Sequence, residues 1–198
     1  MDREASLGLD RDAPVRCGVV KPHIRAADES DLERINEIYN AVMVDSHVSF
    51  DVEPWDLDKR SSWWERYASG RYDAYVAEAG GTVVGVAYSG PYRDKEAYDS
   101  SVETTIVLDT AVTGRGIGSA LLSALLDAVA ASGAHRAYAI VALPNEASIA
   151  LHERFGYRTI GVLDAGDLIG LISIGDVVKA VIADQLDMIG QLEQYITR

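Results

Sequence analysis

The stretch from Val102 to Leu122 constrains this chain more than any other. An apolar, β-rich run, Val102 to Leu108, passes through glycines at 114, 116 and 118 directly onto Ile117 to Ala131, where Ile117, Leu121, Leu122, Leu125 and Val129 recur at helical spacing. A strand that turns through glycines into a helix can hold a pyrophosphate. Glycine lets the backbone approach an anion closely, and the free N–H groups of the helix's first turn, with the helix dipole behind them, supply the positive field. The loop lacks the Gly-Lys-Ser/Thr of a nucleoside triphosphate site, and no acidic ribose partner stands in the usual dinucleotide arrangement.

Around this motif the pattern predicts an alternation of strands and helices. His23 to Ala26 reads as a short strand, and Ser30-Asp31-Leu32-Glu33 reads as a capping box opening a helix through Val44. Asp56 and Asp58 start a second helix over Leu57 to Ala68. Gly80-Gly81, between Asp73 to Ala79 and Thr82 to Ser89, is a two-residue hairpin signal. A strand over Arg136 to Leu143, a helix over Asn145 to Phe155 and a strand over Tyr157 to Leu163 follow. The expected fold class is α/β, a mixed central sheet flanked by helices.

A length of 198 residues suits one core, and 48% hydrophobic with 25% charged residues describes an ordinary globule. A formal net charge of -13 argues against nucleic acid or an anionic membrane as a partner. With no signal-peptide core and no apolar run of membrane-spanning length, the expected address is cytoplasmic. Cys17 reads as a bystander in a polar leader, residues 1–21, and His23, His47, His135 and His152 lack metal-ligand spacing, so no metal is expected.

Arg115-Gly116-Ile117-Gly118 before an alanine- and leucine-rich helix resembles the acetyl-coenzyme A loop of the GNAT acetyltransferases. Leu143-Pro144-Asn145 through Leu151-His152-Glu153 to Gly156-Tyr157 resembles that family's second cofactor segment. Together with Val102-Glu103-Thr104-Thr105, these motifs are most similar to the phosphinothricin N-acetyltransferase branch, over His23 to Leu163. The resemblance implies the GNAT fold for residues 22–164 and acetyl-CoA as cosubstrate. It further implies transfer of acetyl, by direct attack, to the primary amine of a small amino acid or analogue of the phosphinothricin or methionine sulfone type.

Residue by residue, the resemblance makes Glu103 the general base. His152, seven residues after Asn145, is the second catalytic position, either a base with Glu103 or an acid toward the leaving thiolate. Ile106, Val107 and Leu108 match the strand whose main chain holds the pantetheine arm. Arg115, Gly116, Ile117, Gly118 and Ser119 match the pyrophosphate loop, and Asn145 matches the residue that fixes the cofactor from the second segment. Thr113 departs from the usual Gln or Arg and removes a long donor. Phe50, Tyr92, Arg93 and Tyr98, with Arg60 and Trp63 nearby, match the acceptor side. Arg93 reads either as a partner for a carboxylate or as a solvated loop cation.

Beyond Leu163 the resemblance changes. Asp167 to Lys179 and the helix after it resemble the closing strand and helix of a CBS domain, so residues 165–198 are set apart as a replaced C-terminus. Leu168 to Ile174 is apolar enough to be a buried strand substituting for the last strand of the sheet. The stripe Val178, Ile182, Leu186, Ile189, Leu192 and Ile196 would pack on the same sheet or form a homodimer contact. Two rival readings follow: a hybrid that binds coenzyme A without turnover, and an oligomerisation or adenine-nucleotide-responsive module carried by Ser173 and Asp176.

Overall fold

The computed structural model describes residues 22–46, 48–164 and 169–175. Cys17 and the leader, His47, Asp176 and the apolar stripe from Val178 onward lie outside the described residues. The elements are β1 (His23–Ala26), α1 (Leu32–Asp45), α2 (Leu57–Trp64), β2 (Ala74–Ala79), β3 (Thr82–Pro91), β4 (Ser101–Leu108), α3 (Ile117–Ala131), β5 (Arg136–Ala142), α4 (Glu146–Arg154), β6 (Tyr157–Asp164) and β7 (Ile169–Gly175). They build one seven-stranded sheet in the order β1-β2-β3-β4-β5-β7-β6. Strands β1 to β4 are antiparallel neighbours, β4 and β5 run parallel, and β7 lies antiparallel between β5 and β6.

The apolar periodicity explains how the layers close. Leu121, Leu125 and Val129 of α3 are buried against Ala77, Ala87, Val102, Ala137 and Ala139 on one face of the sheet. On the other face Ile35 and Ile38 of α1 meet Val76, Val83 and Val86. Small alanines opposite leucines let α3 sit close, and each buried leucine contributes about 2–3 kcal/mol of transfer free energy. The β2–β3 hairpin turns through Gly80 and Gly81, whose φ values of 62° and 80° are the left-handed pair that a two-residue turn of this twist requires.

The entry to α1 differs from the sequence expectation. The reciprocal box joins Asp28 and Asp31 around a short 3-10 turn, not Ser30 and Glu33: the Asp28 side chain accepts from Ser30 N, and Asp31 accepts from Asp28 N. A second acid three residues on can reach back as well as Glu can, because the 3-10 turn is tighter. The second helix also ends earlier than expected, at Trp64, and continues as a 3-10 turn over Glu65–Tyr67.

Asp31, only 5% exposed, takes two 2.7 Å bonds from Arg25 of β1. Burial by itself would raise its pKa, but the Arg25 bonds and the Asp28 amide outweigh burial and hold the carboxyl below its ordinary value. Its contribution is therefore complete above the unfolded-state pKa of about 3.9 and is lost as pH falls through the lower folded value. Asp31→Asn is expected to cost about 2 kcal/mol at pH 7, with the gap to the parent closing as pH falls below the unfolded-state value; urea midpoints across pH check this. An equal gap at pH 7 and at about pH 2.5 would contradict it.

Candidate active site

The parallel ladder between β4 and β5 joins only Ser101–Arg136, Val102–Ala137 and Glu103–Tyr138. Both strands continue beyond it, β4 to Leu108 and β5 to Ala142, so from Thr104 onward the edge of β4 that faces β5 has no ladder partner. The fork is pinned at its root. Thr104 Oγ1 lies 3.1 Å from the Tyr138 carbonyl and 2.8 Å from the Tyr157 hydroxyl, and all three residues are buried. The side chains of Ile106 and Leu108 pack toward α3 and that of Val107 toward α1, which leaves their main chain to line the opening.

At the far end of the fork stands the start of α3. Gly116 is its N-cap in the left-handed conformation (φ 80°), and no side chain caps the helix, so its first-turn N–H groups are turned outward without a side-chain acceptor. Gly118 is closely packed: a Cβ there would lie 3.3 Å from the Leu151 side chain and 3.5 Å from that of Leu108. Arg115 is exposed at the tip, and Ser119 accepts a 3.0 Å bond from Arg154 of α4. Uncapped amides, glycines and two arginines suit a pyrophosphate chemically.

Strand alternation sorts the two expected catalytic residues onto opposite faces. Val102, Ile106 and Leu108 pack in the α3 cluster and Val107 in the α1 cluster, which puts Glu103 on the face of α1 and α2. Glu103 is half-buried and its side chain has no hydrogen bond or ion pair among the described residues; burial pushes its carboxyl above the ordinary value. Beside it in register is Tyr138, stacked on Tyr92 at 3.8 Å and 8°, and Tyr92 meets Tyr98 edge-on at 5.6 Å. A cavity of about 490 Å³ adjoins this stack, lined by Pro91, Tyr92, Arg93, Asp94, Lys95 and Tyr98. Arg93 leans on the Tyr92 ring at 5.2 Å.

His152 lies on the α3 and α4 face, 4% exposed, edge-on to Tyr157 at 5.0 Å. Its Nδ1 is 2.8 Å from the Ser148 carbonyl, which can only accept, so Nδ1 carries a proton. Burial lowers its pKa, against a smaller upward pull from that carbonyl. A neutral ring with Nδ1 protonated presents Nε2 as an acceptor. His152 Nε2 can thus accept a hydrogen bond, while burial disfavours protonation of the ring.

The model of the Acetyltransferase (GNAT) family matches residues 33–157. The chain belongs to the GNAT acetyltransferase family. It is 42% identical over 147 residues to a phosphinothricin N-acetyltransferase of Streptomyces coelicolor, covering 73% of this chain and 86% of that protein. It is 34% identical over 134 residues to an L-methionine sulfoximine/L-methionine sulfone acetyltransferase of Salmonella typhimurium, covering 68% and 78%. Among solved structures, a phosphinothricin acetyltransferase of Sinorhizobium meliloti in complex with acetyl-CoA superposes with a TM-score of 0.74 at 28% identity, over 78% of this chain and 88% of that one.

The structure of this GNAT protein brings Tyr92, Arg93 and Tyr98 together at one cavity near Glu103, but Phe50 is not among the lining residues and sits half-exposed in the loop after α1. Arg60 is 1% exposed, wedged between the rings of Tyr39, Trp55 and Trp63 at 4.4, 4.4 and 5.0 Å, with Nε donating to Asn36. That position makes it a brace between α1 and α2. Asn145 caps α4, its Oδ1 accepting from Ser148 N at 3.1 Å, and Thr113 bonds the Thr110 carbonyl within its own turn. Sequence reasoning did not single out Tyr138 or Arg154, and read Tyr157 only as the aromatic end of the second cofactor segment. An aromatic in the middle of an otherwise aliphatic β5 was the available signal for Tyr138; no local pattern marks a hydroxyl lock between Thr104 and Tyr157.

The CBS resemblance gains nothing from the family match, which stops at Tyr157. Residues 169–175 form β7, paired on both edges within the acetyltransferase sheet. Among the described residues no group of three or more His, Cys, Asp or Glu could hold a metal, and no helix is long and apolar enough to cross a membrane.

Proposed function

We propose that the protein transfers acetyl from acetyl-CoA to the primary amine of a small amino acid or analogue of the phosphinothricin or methionine sulfone type, with Glu103 as general base. The observation that carries this reading is the half-buried, unpaired Glu103 at the root of the β4–β5 fork, with the uncapped end of α3 at the fork's other end. Acetyl-CoA supplies an activated thioester acetyl group. The α3 amides with Arg115 and Ser119 hold its pyrophosphate, and the open main chain of β4 at Ile106 to Leu108 orients the arm between the strands.

Attack on a thioester needs an uncharged amine, and Glu103 accepts the ammonium proton directly or through one water. A carboxyl raised by burial is a stronger base than an exposed one. His152 Nε2 receives a hydrogen bond on the other face of the sheet, and Asn145 keeps α4 in place through its cap. Tyr92, Arg93 and Tyr98 hold the acceptor, with Arg93 facing its carboxylate.

Titration calorimetry with acetyl-CoA, followed on the same sample by a thiol-release assay with phosphinothricin, methionine sulfone and a panel of amino acids, tests the whole reading. Binding with release supports it; binding without release sinks the turnover part, and absence of binding sinks the cosubstrate. Arg93→Met is expected to raise the acceptor KM about tenfold with the acetyl-CoA KM unchanged, the scale of one charge-assisted contact. An unchanged acceptor KM would return Arg93 to the role of a solvated loop cation.

A further inference from the structure

Arg34 and Asp109 have no part in the chemistry just described, yet they meet where β4 turns into the glycine loop. Asp109 follows the last residue of β4 and gathers four bonds. Its N–H donates to the Val84 carbonyl of β3 at 2.9 Å, its carbonyl accepts from Val112 N at 3.1 Å, and its Oδ1 accepts from Ala111 N at 3.0 Å. Its Oδ2 accepts from Arg34 Nη2 of α1 at 2.6 Å. Arg34 in turn directs Nε to the Val83 carbonyl at 3.0 Å and Nη1 to Glu37 at 2.8 Å. One ion pair therefore ties α1, β3 and the entry of the loop into a single joint, with Arg34 34% and Asp109 28% exposed.

The rest of the loop has little else to hold it. Gly114 and Gly116 both have positive φ, and among the described residues Gly114 to Gly116 reach only α3, where the Gly116 carbonyl accepts from Ala120 N at 3.2 Å. A glycine-rich tip takes its direction from its two ends: α3 on one side and the turn capped by Asp109 on the other. We propose that the Arg34–Asp109 pair is a positioning device that holds the glycine loop in its pyrophosphate-binding shape, so that acetyl-CoA meets a preformed cradle. This rests on the acetyl-CoA reading above. Neither side chain touches the cosubstrate. Their effect is on the fraction of molecules whose loop is competent, and apparent affinity falls in proportion to that fraction.

The test is a double-mutant cycle on the full chain. Acetyl-CoA is first titrated into the parent, and its failure to bind would overturn the acetyl-CoA reading itself and the premise of the strut with it. Given binding, Arg34→Met and Asp109→Asn, which keeps an Oδ1 to cap Ala111, should each raise the Kd and KM for acetyl-CoA about fivefold, the scale of a half-exposed ion-paired joint. The double variant should show the same fivefold loss, because both changes remove one contact. The kcat and acceptor KM should stay within about twofold, and Glu37→Gln, which removes only the exposed arm, should change nothing. Arg34→Lys, which retains a charge toward Asp109, provides a milder variant should Arg34→Met fail to fold, with a Kd expected between those of parent and Asp109→Asn. An unchanged Kd in folded variants would overturn the proposal, whatever happens to Tm. So would losses that multiply to about 25-fold in the double variant.

Discussion

Glu103→Gln is expected to lower kcat by about 10²–10⁴-fold while leaving the Kd for acetyl-CoA within about twofold of the parent. The amide fills the same volume on β4 and accepts a hydrogen bond, but it cannot take the amine's proton. The pH profile carries a second signature. Burial raises the Glu103 carboxyl, so the acid limb of kcat/KM should lie above the ordinary glutamate range near about 4.3, with activity falling as pH falls through it. That limb should be absent from the residual activity of the variant. Stability should move the other way. A carboxyl whose folded pKa is raised favours the fold below its unfolded pKa and loses that advantage as pH rises through the folded value, above which the ionised, unpaired group is a burden. Glu103→Gln should therefore match or exceed the parent in Tm at pH 7, and a variant that is both inactive and less stable would point to a structural role.

The site was legible in the sequence wherever its signal is local. The glycine loop that opens onto α3, the helix beginning at Asn145 and the Gly80-Gly81 hairpin each depend on backbone chemistry within a few residues. What did not show was set by register between distant strands. His152 and Glu103 read as neighbours in function, yet the alternation of β4 sends Glu103 toward α1 while Tyr157 holds His152 on the α4 side. The resemblance put Arg60 on the acceptor side; three rings and Asn36 enclose it. A guanidinium can be stacked as readily as it can bind a carboxylate, and only packing decides between the two. The Arg34–Asp109 joint spans 75 positions and carries no motif. The capping box moved from Ser30 to Asp28 because Asp28 and Asp31 each take a different amide of the tight turn, Ser30 N and Asp28 N.

Interrupting β7 should do more damage than any change in the loop. The strand pairs with β5 from Ala137 to Ala142 and with β6 from Tyr157 to Asp164, so among the described residues it is the only ladder connection between β6 and the rest of the sheet. A proline at Leu171, opposite Val141 and Val162, removes an N–H in a strand paired on both edges and forces the ring against a neighbour. Leu171→Pro is expected to cost about 3 kcal/mol or more, a large share of the roughly 5–15 kcal/mol that holds a domain together, and urea denaturation should show the midpoint collapse. His23→Pro, at the first residue of edge strand β1, is the matched control and should cost less than about 1 kcal/mol. Equal, small effects at the two positions would mean that residues 169–175 are an appendage to a sheet complete without them. The expected asymmetry makes them part of the acetyltransferase fold: β5 forms one wall of the fork at Tyr138, and β7 is what holds its other edge.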